Sequence, residues 1–175
     1  SFRRQDLFDH KNENFAGSFG TSVSPKLIDS TKNSDLVIVL GARLGEMTTQ
    51  GYNIIRPQDI SKNIIHIHVD PNELNKVFNA NVCINVGVNE CCDKLEELTL
   101  DNSNRWKEWR NELNKNYLED SKPQKNRNIN NLSKIFGIVE KKFPSNSIIT
   151  LDAGNNAAWP QRFLSFGRNR RQIAS

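Results

Sequence analysis

The sequence predicts an α/β chain with parallel strands, and three observations carry that expectation. Residues 36–40 (LVIVL) and 64–69 (IIHIHV) are short, nearly continuous apolar runs rich in β-branched residues, as strands buried on both faces are. Each run is separated from the next by a helix-like segment, which is the pattern of β-α-β connections. A third run, residues 148–151, repeats the arrangement after a long polar interval.

The elements follow in order. Ser24 and Pro25 suit the cap and first position of a helix running through Lys26, Leu27, Ile28 and Ser30. A turn at residues 32–34 leads into the first strand, which reads as buried and ends at Gly41. The second strand is followed by Asp70, Pro71, Asn72 and Glu73, a capping-box-like arrangement predicting a helix with Leu74, Val77 and Phe78 on its apolar face. Residues 82–86 read as a third strand, followed by a helix carrying Cys91, Cys92, Leu95 and Leu98. Beyond Asn102, Trp106, Trp109, Leu113 and Tyr117 form a helical stripe whose tryptophans read as core, and residues 119–128 read as a linker. A new α/β unit begins near Ile129, with a helix marked by Leu132, Ile135, Phe136 and Val139. The strand at 148–151 then ends in Asp152, Ala153, Gly154, Asn155 and Asn156, before an aromatic segment with Trp159, Phe163 and Phe166, and the strands needed to complete its sheet are expected beyond Ser175.

Composition narrows the function classes. Hydrophobic residues at 36% and charged residues at 25% allow an ordinary core, and no apolar run reaches the roughly 18 residues of a membrane helix. Three cysteines, two of them adjacent, are poor material for a disulfide framework and point to a reducing, cytoplasmic setting. The net charge of +4 is modest, and the densest basic group, Arg162, Arg168, Arg170 and Arg171, reads as solvated surface or an anion-facing loop. No nucleic-acid module accompanies it, so neither nucleic acid nor membrane is expected as a partner.

Parallel sheets bind ligands beyond the carboxyl ends of their strands, so the chemistry is sought there. Arg43, between Gly41 and Gly45, is suited either to neutralising a phosphate or to a surface ion pair. The loop fits neither GxGxxG nor the P-loop pattern. Asp70 is placed to accept from a ribose or to cap its own helix. His66 and His68 lack a third ligand for zinc, and no metal site is expected. Gly154, with the amides of Asn155 and Asn156, suits either an anion or a turn closed by Asx hydrogen bonds.

The ordered set FRRQDLFDH, FAGSFG, DLVIVLGARLGEMTTQGY, HIHVDPNEL and DAGNNAAWPQRFLSF resembles the thiamine-diphosphate-dependent enzymes of the acetolactate-synthase-like group along nearly the whole chain. The resemblance implies a Rossmann-like central domain of which residues 1–100 are the later part, a connector at 101–127, and the start of the diphosphate-binding domain at 128–175. It implies thiamine diphosphate and Mg²⁺ as cofactors, a small 2-oxo acid as substrate, and a homodimer or homotetramer as the intact assembly. Gly154, Asn155 and Asn156 match the loop that approaches the cofactor diphosphate, although many acetolactate synthases have Gln-His at the last two positions.

Arg43 and Asp70 match positions at which flavin-containing members meet FAD; His66, His68 and Glu46 depart from that pattern and weigh against FAD. The family's catalytic glutamate would precede Ser1 and its metal-binding segment would follow Ser175, so no residue here is assigned as catalytic or metal-binding. The expectation is a fragment of a decarboxylase or carboligase, a lyase or transferase when intact and inactive alone. The alternative is a noncatalytic Rossmann-like binding or assembly module.

Overall fold

The structure, a computed structural model, describes residues 3–59, 62–99, 104–124 and 131–174. In chain order its elements are α1 (Pro25–Asn33), β1 (Leu36–Leu40), α2 (Glu46–Thr49), β2 (Asn63–Ile67), β3 (Val82–Ile84), α3 (Val88–Glu96), α4 (Lys107–Asp120), α5 (Leu132–Lys142), β4 (Ile148–Leu151), α6 (Ala158–Phe163) and β5 (Arg171–Ala174). They form two compact units. One comprises the described residues of Ile28–Arg105, the other those of Ser1–Leu27 and Trp106–Ser175.

The contiguous unit holds a parallel three-stranded sheet in the order β1-β2-β3, with Val39 opposite His66 and Ile67 opposite Ile84. Val39, Ile64, Ile67, Leu44, Ile54, Ile55 and Phe78 are its buried apolar residues. The expected burial of β1 is corrected. Leu36, Ile38 and Leu40 are 42%, 61% and 38% exposed, because β1 is an edge strand and only the face carrying Val39 is covered among the described residues.

The helix expected after Asp70 is also corrected, to a single 3-10 turn at Pro71–Glu73. Leu74 is already extended and Asn75 is left-handed, with φ of 56°, so the chain turns away. The Asn75 side chain accepts from Ala80 N–H at 2.9 Å, fixing that turn. The third strand stops at Ile84, two residues short of expectation, and Leu98 lies beyond the end of α3.

The second unit is built from both ends of the chain. A 3-10 turn at Gln5–Leu7 packs on β5, where Asp6 accepts from Arg171 Nε at 2.5 Å. The His10 ring stacks on Phe15, with centroids 4.0 Å apart, and the His10 backbone N–H donates to Phe166 O at 3.0 Å. Tyr117 on α4 meets Phe15 edge-on at 4.7 Å. The tryptophans expected in the core stand outside it: Trp106 and Trp109 are 54% and 48% exposed, and it is Tyr117 that turns inward. Ile135 and Leu132 on α5 are exposed as well. Part of the expected linker, residues 125–128, and the expected start at Ile129 lie outside the described residues.

β4 is found where expected, and it is not alone. β5 pairs with it in parallel, Ile148 opposite Arg171 through Leu151 opposite Ala174. The sequence hides β5 because its first residue belongs to an arginine-rich stretch.

Candidate functional site

At the carboxyl end of β1 the chain enters a tightly held loop. Gly41 has φ of +66° and its N–H donates to Ile67 O at 2.9 Å, continuing the ladder to β2. Leu44, Gln50, Gly51 and Tyr52 also have positive φ, between 51° and 67°. For Leu44 and Tyr52 such values persist only where surroundings impose them. Buried Thr49 supplies part of that constraint, its hydroxyl donating to Gly45 O and accepting from Tyr52 N–H, each at 3.1 Å.

His66 supplies another part: it is buried on β2 with Nε2 2.8 Å from Ala42 O. A carbonyl only accepts, so this nitrogen carries the proton. His66 thus holds the loop in place, a structural role rather than metal ligation. Alternation along β2 and the continuously apolar neighbours are the signals that place it inward.

A β-carbon at Gly41 would lie 2.5 Å from Val88 Cγ2, and the residue's φ disfavours any L side chain. We expect Gly41→Ala to destabilise the contiguous unit by about 2 kcal/mol, read as a lowered urea midpoint. A change below about 0.5 kcal/mol would show that the close approach to Val88 is absent.

Arg43 projects from this loop and is exposed. Its charge, after the bonded Lys76 ammonium, contributes to holding the Glu73 carboxyl below its ordinary range. Asp70, at the end of β2, is exposed and caps the 3-10 turn. Its Oδ1 accepts from Asn72 N–H and from Asn72 Nδ2, both at 3.0 Å. The backbone donor, joined by the Asn72 amide and the His68 and Lys76 charges, lowers its carboxyl below the usual carboxylate range. The expected capping box is incomplete, because Glu73 bonds Lys76 at 2.9 Å.

Gly154 follows β4 with φ of 119° and ψ of −176°, a conformation proper to glycine. Asp152 Oδ1 accepts from Ala153 N–H at 2.7 Å, and Asn155–Ala157 form a 3-10 turn before α6. Asn155 and Asn156 are exposed, and among the described residues their side-chain amides make no hydrogen bond. Free amide donors beside a glycine in this conformation fit a phosphate group. Arg43 and Asp70 belong to the contiguous unit and Gly154, Asn155 and Asn156 to the other.

Most of the arginine group has structural work. Arg162 pairs with Asp120 at 2.5 Å, Arg171 with Asp6, and buried Arg170 with Glu140 as well as Phe143 O at 3.2 Å, closing the end of α5. An anion-facing reading therefore fails for these three. Among the described residues no group of three or more His, Cys, Asp or Glu is placed to hold a metal. No helix among them is long and apolar enough to cross a membrane.

Residues 1–95 match the thiamine pyrophosphate enzyme central domain. Over 151 residues the chain is 29% identical to a probable acetolactate synthase large subunit of Methanocaldococcus jannaschii, an alignment covering 81% of this chain and 25% of the relative. The chain thus spans about a quarter of the length of that relative. The parallel sheet β1-β2-β3 lies wholly within the matched span. By that match over more than half its length, the chain belongs to the thiamine pyrophosphate enzyme family, through the family's central domain.

Proposed function

We propose that the chain is a fragment of a thiamine-diphosphate-dependent 2-oxo acid decarboxylase or carboligase of the acetolactate-synthase-like kind. The observation that carries this reading is the match of residues 1–95 to the family's central domain. In it, residues 1–100 are the later part of that domain, 101–127 a connector, and 128–175 the start of the diphosphate-binding domain. The packing of residues 3–27 with the described residues of 106–174 means that the first of these segments contributes to two compact units.

Gly154, Asn155 and Asn156 donate to the cofactor diphosphate in this reading. Their fit rests on the positive φ of Gly154 and the unbonded amides beside it. The cofactor, when bound, supplies the electron sink for decarboxylation, and the chain's own part is to orient it. Mg²⁺ needs several oxygen ligands, and the described residues group none for it. Arg43 and Asp70 frame the carboxyl edge of the central sheet. Asp70 is already engaged by Asn72, so FAD forms no part of the proposal. The intact protein is proposed as a cytoplasmic homodimer or homotetramer acting as a lyase or transferase.

Calorimetric titration of the chain with thiamine diphosphate and Mg²⁺ is expected to give no saturable binding at micromolar cofactor. Tight stoichiometric binding would overturn the fragment reading. In the full-length protein, replacing Asn155 and Asn156 together by Ala is expected to weaken cofactor binding by about tenfold or more, the scale of losing a hydrogen bond to a charged group. Unchanged affinity would remove the loop from the site.

A further inference from the structure

At the opposite edge of the central sheet, beside the amino end of β2, the contiguous unit has a cleft of about 560 Å³. Among the described residues its wall carries three cations, Lys32, Arg56 and Lys62, against one carboxylate, Asp59. We propose that this cleft binds a small phosphate-bearing anion, held by Arg56 and Lys32.

The three cations differ in what they already do. Lys62 is buried, and its ammonium donates to Thr31 O and Lys32 O, each at 2.9 Å, and to Ser34 O. These are carbonyls of the last turn of α1 and its exit, where a helix carries partial negative charge and lacks internal partners. Lys62 cancels a charge that would otherwise repel an anion. Lys32 and Arg56 are exposed and make no ion pair among the described residues, so their charges remain directed to the cleft.

The wall also has amides. Asn53 is fixed by donating to Gln50 O at 2.9 Å, while Gln58 offers a neutral donor. A guanidinium binds two phosphate oxygens in a planar fork, and an ammonium adds a compact second charge. That combination favours a phosphate dianion over a single carboxylate. The volume is that of an ordinary small-molecule site. Exposed cations are screened by salt, so the affinity is modest.

Pyrophosphate is the probe. Calorimetric titration of the chain in about 150 mM salt is expected to show saturable binding with a dissociation constant of about 1 mM or tighter. Amide resonances of Lys32 and of residues 53–59 should shift along the same isotherm. Arg56→Gln and Lys32→Gln are each expected to weaken binding at least fivefold and together to abolish it, with unchanged circular dichroism.

Arg168→Gln, at an exposed arginine of the other unit that makes no ion pair among the described residues, should bind as the parent does. Non-saturable binding, or binding indifferent to both cleft substitutions, would overturn the proposal. Shifts confined to residues 154–156 would do the same, while leaving the proposed cofactor loop intact. Succinate binding as tightly as pyrophosphate would overturn the phosphate assignment.

Discussion

Arg171→Met is expected to lower the stability of the unit built from both chain ends by about 3–5 kcal/mol, the cost of leaving a buried charge without its partner. The asymmetry of the pair decides which substitution is worse. The Asp6 side chain is 1% exposed and that of Arg171 is 50% exposed. With Arg171 gone, the one cation left by the carboxylate among the described residues is Arg4, whose Nε is 3.8 Å away and beyond hydrogen-bond reach. With Asp6 gone, Arg171 still meets water, so Asp6→Leu should cost less.

The double variant Asp6→Leu with Arg171→Met should recover part of the loss, because it leaves no charge stranded. Urea unfolding of the three variants measures the difference. A loss under about 1 kcal/mol for Arg171→Met would place the pair among weak surface contacts.

The second large effect is a loss of stability in acid. Burial lowers the His10 pKa from 6.5 to about 4, against smaller opposing contributions from Gln5 O, the Asp9 charge, Leu164 O and the Asp6 charge. The folded state therefore keeps the ring neutral in a range where the unfolded chain takes up a proton. Stability contributed by neutral His10 is fully present above pH 6.5 and falls as pH drops toward 4. The accumulated loss is on the order of 3 kcal/mol.

His10→Phe keeps an aromatic ring against Phe15 and removes the titration. Between pH 6.5 and 5, before most carboxylates titrate, its urea midpoint should be flatter than that of the parent. Parallel slopes would exclude His10 as the source. Tyr117, whose hydroxyl lies 3.5 Å from His10 Nδ1, is pushed up to about 12 by burial and stays protonated throughout.

The strands were the legible part of the chain. Leu36–Leu40 and Ile148–Leu151 fall where apolar, β-branched runs placed them, because that signal is local. Burial was less legible, since it depends on what covers a sheet: the same run that marks β1 as a strand said nothing of its edge position. The 3-10 turn after Asp70 shows local chemistry read correctly and its extent read wrongly. The cap forms, but Asn75 ends the turn from outside the capping pattern.

At the candidate site, Arg43, Asp70 and Gly154 were visible through their positions after strands. The carbonyls of residues 42 and 45 that His66 and Thr49 bond were not, because no residue pattern announces a backbone partner. β5 was concealed by Arg170 and Arg171, whose charges are matched by Glu140 and Asp6, both distant in sequence.

The division of the chain also sets an order of events during synthesis. Residues 28–105 are contiguous, so β1, β2 and β3 can pair soon after they leave the ribosome, closing only short loops. Asp6 must wait for Arg171, 165 residues later, and His10 for Phe166. Until then Asp6 and His10 remain without these partners. A nascent chain stalled before Phe166 would therefore hold a paired parallel sheet while residues 3–27 still lack their packing partners and lie open to chaperones and proteases.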